Sequence, residues 1–272
     1  MVRSLWTAAT GMIAQQTNVD NIAHNLSNVN TVGYKTQVNE FKSLLYQNLQ
    51  TRTTSANGDP KPSNAQVGLG VRNASLTVQF HNGPMLANDS NTAFAISGKG
   101  FFAVRGDDGN TYYTRNGNFQ WTTAANGGTM LSDSEGQPVL DSQGRSIILN
   151  STYDASQISI TADGTICYPD ANNNPQSLGI TIGLYQFTNP GGLERLGDSM
   201  YQQTAASGQP INEATSTTVE KSSVLQNFLE GSNVQVVDEM VNMIVAQRAY
   251  EINAKAITAS DEMLQQANNL RG

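Results

Sequence analysis

No proline precedes Pro60 or follows Pro210, and all eight of the chain's prolines fall between these limits. Glycine respects the same division. Gly11 is the only one between Ser4 and Leu26, and the stretch from Val234 to Leu270 has none. Proline breaks a helix interior and glycine weakens it, so the two ends can form long helices and the middle cannot. The distribution predicts helix, β-rich centre, helix: an α+β chain with a central all-β antiparallel domain, its long N- and C-terminal helices available to form a coiled-coil-like domain.

In the first segment Leu5, Met12, Val19 and Leu26 recur every seven residues, with Ala8, Ala9, Ile22 and Ala23 filling the same face. Spacing by seven keeps apolar groups on one stripe of a supercoiling helix. Gln15 and Gln16 interrupt the stripe where a further apolar layer belongs. At ~1.5 Å per residue the helix is roughly 35 Å long. Asn28, Asn30 and Gly33 then end it, since Gly tolerates a left-handed turn and Asn competes for backbone hydrogen bonds. Phe41, Leu44 and Leu45 suggest a further short packing segment, helical or extended.

The last segment is the stronger helix. Val237, Val241, Val245, Ala249, Ile252, Ala256, Ala259 and Met263 make one stripe, and Met240, Ile244, Ala254, Ile257 and Leu264 a second beside it. The combined face is too broad for one neighbour. Periodicity leaves two arrangements open. The terminal helices pair with each other and dock on the centre, or they pair and then pack against other copies of the chain. A broad uncovered apolar stripe marks an interface.

The centre reads as short strands closed by Gly or Asp: Val67–Phe80, Ala93–Ile96, Phe101–Val104, Thr111–Thr114, Ile158–Thr161, Thr165–Tyr168 and Gly179–Phe187. Asp133-Ser134-Glu135-Gly136 returns as Asp141-Ser142-Gln143-Gly144, two turn sequences flanking a short strand. Regular short spacing implies an antiparallel sandwich or barrel-like domain. The expected divisions are 1–45 and 232–272 as the two helical parts, 46–66 as an extended linker or insertion, 67–209 as the β domain, and 210–231 as a return linker.

The chemistry that would mark an enzyme is sparse. His24 and His81 are the two histidines, and both read as surface or interface residues. The lone Cys167 cannot make an internal disulfide or a structural zinc site. Gly98-Lys99 lacks the earlier glycine and the following hydroxyl of a phosphate loop. Asp170-Ala171-Asn172-Asn173-Asn174 starts like a calcium loop, but Pro175 stands where the turn needs glycine. The remaining Asp residues sit largely in turn sequences. The expectation is therefore no catalytic, metal or cofactor-binding residue. With 15 Lys+Arg against 22 Asp+Glu the net charge is −7, which argues against nucleic acid and against an anionic membrane surface. No run of ~18 apolar residues exists to span a bilayer, and the first residues lack the apolar stretch of a signal peptide.

Ala23-His24-Asn25-Leu26-Ser27-Asn28-Val29-Asn30-Thr31-Val32-Gly33-Tyr34-Lys35 resembles the N-terminal signature of the flagellar rod and hook axial proteins: a helix ending in an Asn-rich turn, then Gly-aromatic-Lys. Ser232-Asn233-Val234, the run Val237–Ile244 and the run Gln247–Ala256 resemble that family's C-terminal signature. Ile96–Phe102 and Tyr113-Thr114-Arg115-Asn116-Gly117-Asn118-Phe119 agree with its centre. The similarity runs end to end and is nearest the distal-rod branch; His24 and Ser27 replace the commoner Asn and Ala. It implies a structural subunit of a hollow helical drive shaft that carries motor torque across the periplasm to the hook, exported by the flagellar type III apparatus without a cleaved signal peptide. The implied partners are further copies of the chain, proximal-rod and hook-side axial proteins, ring proteins where an outer membrane is present, and the export apparatus. The packing residues would be Leu5, Met12, Val19, Ile22, Leu26, Val237, Val241, Ile244, Val245, Ile252, Ala256 and Met263. The signature turn would be Asn25, Asn28, Gly33, Tyr34 and Lys35. The alternatives are a proximal-rod or hook subunit and, from another class, a secreted cell-wall-binding β protein.

Overall fold

A computed structural model describes residues 2–50, 65–124, 127–170 and 174–270. Most of the expected insertion and parts of the sequences around Ala124–Gly128 and Asp170–Asn174 lie outside these residues. The chain divides into two compact units. Met1–Ser27, Gln37–Thr77 and Gln235–Gly272 form a helical unit; Asn28–Thr36 and Val78–Val234 form a β unit. The fold is α+β.

In the helical unit, α1 spans Val2–Ser27 and α2 spans Val236–Asn269. α1 stops where the Asn28–Gly33 stretch begins, and α2 opens with Asp238 and Glu239 in its first turn, where carboxylates favour the helix dipole. Gln37–Ser43, in the stretch whose Phe41 suggested a helical or extended packing segment, is a strand paired with Val71–Val78. Val38, Phe41 and the alternating polar residues suit an extended ladder better than a helix. Tyr46–Gln50 pairs antiparallel with Ala65–Gly68, so both edges of the expected linker carry strand structure.

The β unit is antiparallel throughout its described ladders. Its largest sheet has six strands, in the order Glu194–Arg195, Met200–Gln202, Thr111–Thr114, Phe101–Arg105, Leu184–Gln186 and Ile211–Asn212. One face buries Phe94, Ile96, Phe102, Val104, Phe119, Leu131, Ile147, Ile166 and Ile182. The other buries an aromatic group around Phe101, Tyr113, Phe187 and Tyr201. Phe101 alternates with Phe102, and Ala103 with Val104, so one strand feeds both cores. The repeated turn motif works as its sequence suggests: the Asp133 and Asp141 carboxylates each accept two backbone N–H bonds from the following four residues. Within the stretch expected as the return linker, Ser223–Gln226 pairs with Phe94–Ser97, and Phe228–Glu230 pairs with Met85–Ala87.

Candidate assembly surface

α1 packs against α2 in the helical unit. Ser4 Oγ lies 3.3 Å from Ser260 Oγ. A Cβ on Gly11 would fall 2.8 Å from Asn253 Nδ2, so the glycine makes room for that amide. Near the other end the Asn25 side chain hydrogen-bonds Glu239. Each step of seven up α1 matches a step of seven down α2, so the helices run antiparallel in one register. The same step sets Asn18 level with Ala246, which is 1 % exposed. This seam is built from small and polar residues.

The aliphatic residues lie elsewhere. Val237 is 73 % exposed, Val245 61 % and Ile252 66 %. Val241, Ile244 and Met263 are more than half exposed, and Ala256 is exposed. On α1, Ile22 is buried; Leu5, Met12, Val19 and Leu26 are half-buried; Trp6 and Ile13 are exposed. A shallow groove lined by Gln16, Val19, Gln247, Tyr250 and Glu251 runs between the helices. The residues that periodicity singles out on α2 thus point away from α1. Periodicity finds the apolar stripe but cannot tell which stripe the chain covers itself.

The signature turn belongs to a different structure. Asn25 is buried in the helical unit, where it clamps Gln37: Asn25 Oδ1 accepts from Gln37 N at 3.0 Å and Asn25 Nδ2 donates to Gln37 O at 2.8 Å. Asn28 through Lys35 enter the β unit. Gly33, at φ 71°, lies so close to Arg115 and Asn116 that a Cβ would sit 2.6 Å from Asn116 N. Only glycine fits there. Tyr34 and Lys35 are buried.

Lys35 Nζ donates to Glu230 Oε1 at 2.6 Å and to the His81 carbonyl at 2.8 Å. Arg115 Nη1 reaches Glu230 Oε2 at 3.3 Å, and the guanidinium stacks over Phe101 at 4.8 Å. All three charged side chains are fully buried. Burial pulls the Lys35 ammonium below the usual lysine range, with Glu230 opposing the shift; burial likewise lowers Arg115, which Glu230 and Glu213 counter. Glu213 is itself buried and held by Gln186 Nε2, Ser222 N and Ser222 Oγ. Two cations and two carboxylates therefore share the interior, as buried charge requires. Lys35, Arg115 and Glu230 come from three distant segments, so no local spacing announces their meeting.

Among the described residues no group of His, Cys, Asp or Glu is placed to hold a metal ion, and no helix is long and apolar enough to cross a membrane. The built features are an apolar surface on a helix pair and an ionic lock inside the β unit.

Three family descriptions match the chain. Residues 5–35 match the flagella basal body rod protein family, residues 95–168 the flagellar hook protein FlgE/F/G D1 domain, and residues 225–270 the flagellar basal body rod FlgEFG protein C-terminal region. The flagellar basal-body rod protein FlgG of Borreliella burgdorferi is 42 % identical over 273 residues, covering 100 % of this chain and 99 % of that protein. FlgG of Buchnera aphidicola from Schizaphis graminum and FlgG of Caulobacter vibrioides are each 39 % identical over 273 residues, covering 99 % of this chain and all of theirs.

Proposed function

The chain belongs to the family of flagellar basal-body rod proteins, and we propose that the outward faces of α1 and α2 are the surfaces through which its copies build the distal rod. It is a structural subunit, not an enzyme. In this reading the terminal helices pack as a coiled coil lining a hollow helical tube, and the tube carries motor torque across the periplasm to the hook. The further partners are proximal-rod and hook-side axial proteins, ring proteins around the shaft, and the flagellar export apparatus.

The supporting observation is the division of labour on α2. Its small and polar seam fixes register with α1, while Val237, Val241, Val245 and Ile252 stay exposed. Polar groups at a helix seam specify pairing at the expense of stability. The stabilising burial must then come from sister copies. Identical subunits joined head to tail by a rotation that does not close make an open helical filament.

Val245→Asp combined with Ile252→Asp tests this. Each introduces a carboxylate where a neighbour's apolar surface belongs, at several kcal/mol (~3 or more) per buried unpaired charge. The double variant is expected to remain monomeric by sedimentation under conditions where the parent chain polymerises. Normal filaments from the variant would contradict the reading. Circular dichroism adds a second test. A helix pair with a polar seam is marginal alone, so helix content rises on polymerisation; equal content in monomer and polymer would count against it.

A further inference from the structure

The two units share the chain's charge unequally. The helical unit holds 8 Lys+Arg and 8 Asp+Glu and is neutral. The β unit holds 7 against 14, so it carries the whole net charge of −7. Burial sharpens the difference. Lys35 and Arg115, two of its seven cations, are fully buried with Glu230. Ten of its fourteen carboxylates are exposed, against four cations: Lys99, Arg145, Arg195 and Lys221. One of these, Arg145, is already engaged by the buried Asp141 at 2.9 Å. The acidic residues are dispersed, with Asp89, Asp163 and Glu220 in loops far apart in sequence. Where they crowd, the field is measurable in a side chain. A hydrogen bond to Asp198, together with the charges of Asp198, Asp133 and Asp107, holds the Glu135 carboxyl above the ordinary carboxylate range.

A neutral body with an exposed apolar face associates readily. The helical unit is such a body, with Val237, Val245 and Ile252 all more than half exposed. Apolar attraction acts only at contact. Charge acts over the Debye length, which is about 30 Å at 0.01 M salt and about 8 Å at 0.15 M. Every helical unit is tied by the chain to a β unit of charge −7. At low salt two approaching copies therefore meet long-range repulsion before any apolar faces touch. Screening removes the repulsion and leaves the attraction.

We propose that the acidic surface of the β unit is a brake on assembly: it holds free copies apart, so that ionic strength sets the concentration at which their helical units join. The brake is the charge of the whole surface, not a site within it. The proposal rests on the rod reading above and adds to it a means by which polymerisation is regulated.

The test reads the critical concentration of the full chain by sedimentation, between about 0.01 and 0.15 M sodium chloride. Chloride is chosen because sulfate strengthens apolar burial itself. Coulomb repulsion between two such bodies, screened at those lengths, predicts a fall of about tenfold across the range. Two triple variants then remove three charges each. One is Asp89→Asn with Asp163→Asn and Glu220→Gln; the other is Asp107→Asn with Glu135→Gln and Asp198→Asn. Either brings the β unit from −7 to −4. Repulsion scales with the square of the charge, so the salt effect should shrink from about tenfold to about twofold. Both variants should also polymerise at lower concentration than the parent at low salt. Asp261→Asn with Glu262→Gln, on α2, leaves the β unit untouched and should keep the parent's salt effect. A critical concentration that ignores salt overturns the proposal. So does an undiminished salt effect in the triple variants, relief by only one of the two when both fold, or equal relief in the α2 control. If one triple variant does not fold, the other is read alone. Absence of filaments from the parent at every salt concentration sinks the rod reading and the brake with it; filaments whose threshold ignores salt sink the brake alone.

Discussion

Replacing Glu230 by Gln removes one charge and almost no volume from the centre of the β unit. Glu230 separates two buried cations, with Lys35 Nζ at 2.6 Å and Arg115 Nη1 at 3.3 Å. Without the carboxylate both face an amide, and Glu213 alone opposes two positive charges. Breaking a buried pair by removing one partner costs about 3–5 kcal/mol. That is a large share of the roughly 5–15 kcal/mol that stabilises a domain. For a unit of this size each kcal/mol moves the midpoint by about 2–4 °C, so the melting temperature should fall on the order of 10 °C. Lys35→Met is the informative comparison. It leaves Glu230 paired with Arg115 and should cost less, about 1–3 kcal/mol. Urea unfolding of the full chain in a Trp6→Phe background reads the β unit through Trp121, which packs against its core. A loss under ~1 kcal/mol for Glu230→Gln, or a larger loss for Lys35→Met, would refute the idea that this carboxylate neutralises both cations.

Three further outcomes are expected. Burial pushes the Tyr201 phenol up to about 12. The folded state therefore holds that proton longer than the unfolded chain; the stability this gives is full below pH 10 and lost as pH rises through 12, a change of up to ~2.7 kcal/mol. Denaturation midpoints at pH 9 and 11.5 measure it, and Tyr201→Phe should flatten the decline. Gly33→Ala should destabilise the β unit by ~1–3 kcal/mol, because its φ of 71° and its contact with Asn116 N both exclude a Cβ; an unchanged midpoint would contradict the close fit of Gly33 against Arg115 and Asn116. Exposed Val245→Ala should leave β-unit melting within ~0.5 kcal/mol of the parent while weakening polymerisation, measured as a raised critical concentration.

Much of the α+β plan is legible because it rests on local rules. Proline and glycine exclusion marks both helices, and the Asn28–Gly33 stretch marks where α1 stops. Asp133 and Asp141 announce their turns because an Asp side chain caps its own following backbone. What escapes the sequence is non-local. The apolar stripes of α2 are plain, yet the face that meets α1 runs through Glu239, Ala246, Asn253 and Ser260, which no hydrophobicity pattern selects. Lys35 is visible as part of a motif, but its partner is 195 positions away. Glu213 lies in a stretch that reads as linker, and Asn233 in one that reads as the start of the C-terminal helical part. Each is instead a buried or half-buried hub whose value comes from backbone groups brought together only by the fold.

The central claim is that sister copies cover the outward faces of the terminal helices. A helical reconstruction of filaments grown from the purified chain tests it most directly. The account predicts Val237, Val241, Val245 and Ile252 buried against neighbouring subunits, with the Ser4–Ser260 and Asn25–Glu239 pairs kept inside each copy. Filaments in which those four side chains face open solvent, or in which α1 and α2 of one chain have separated, would contradict it.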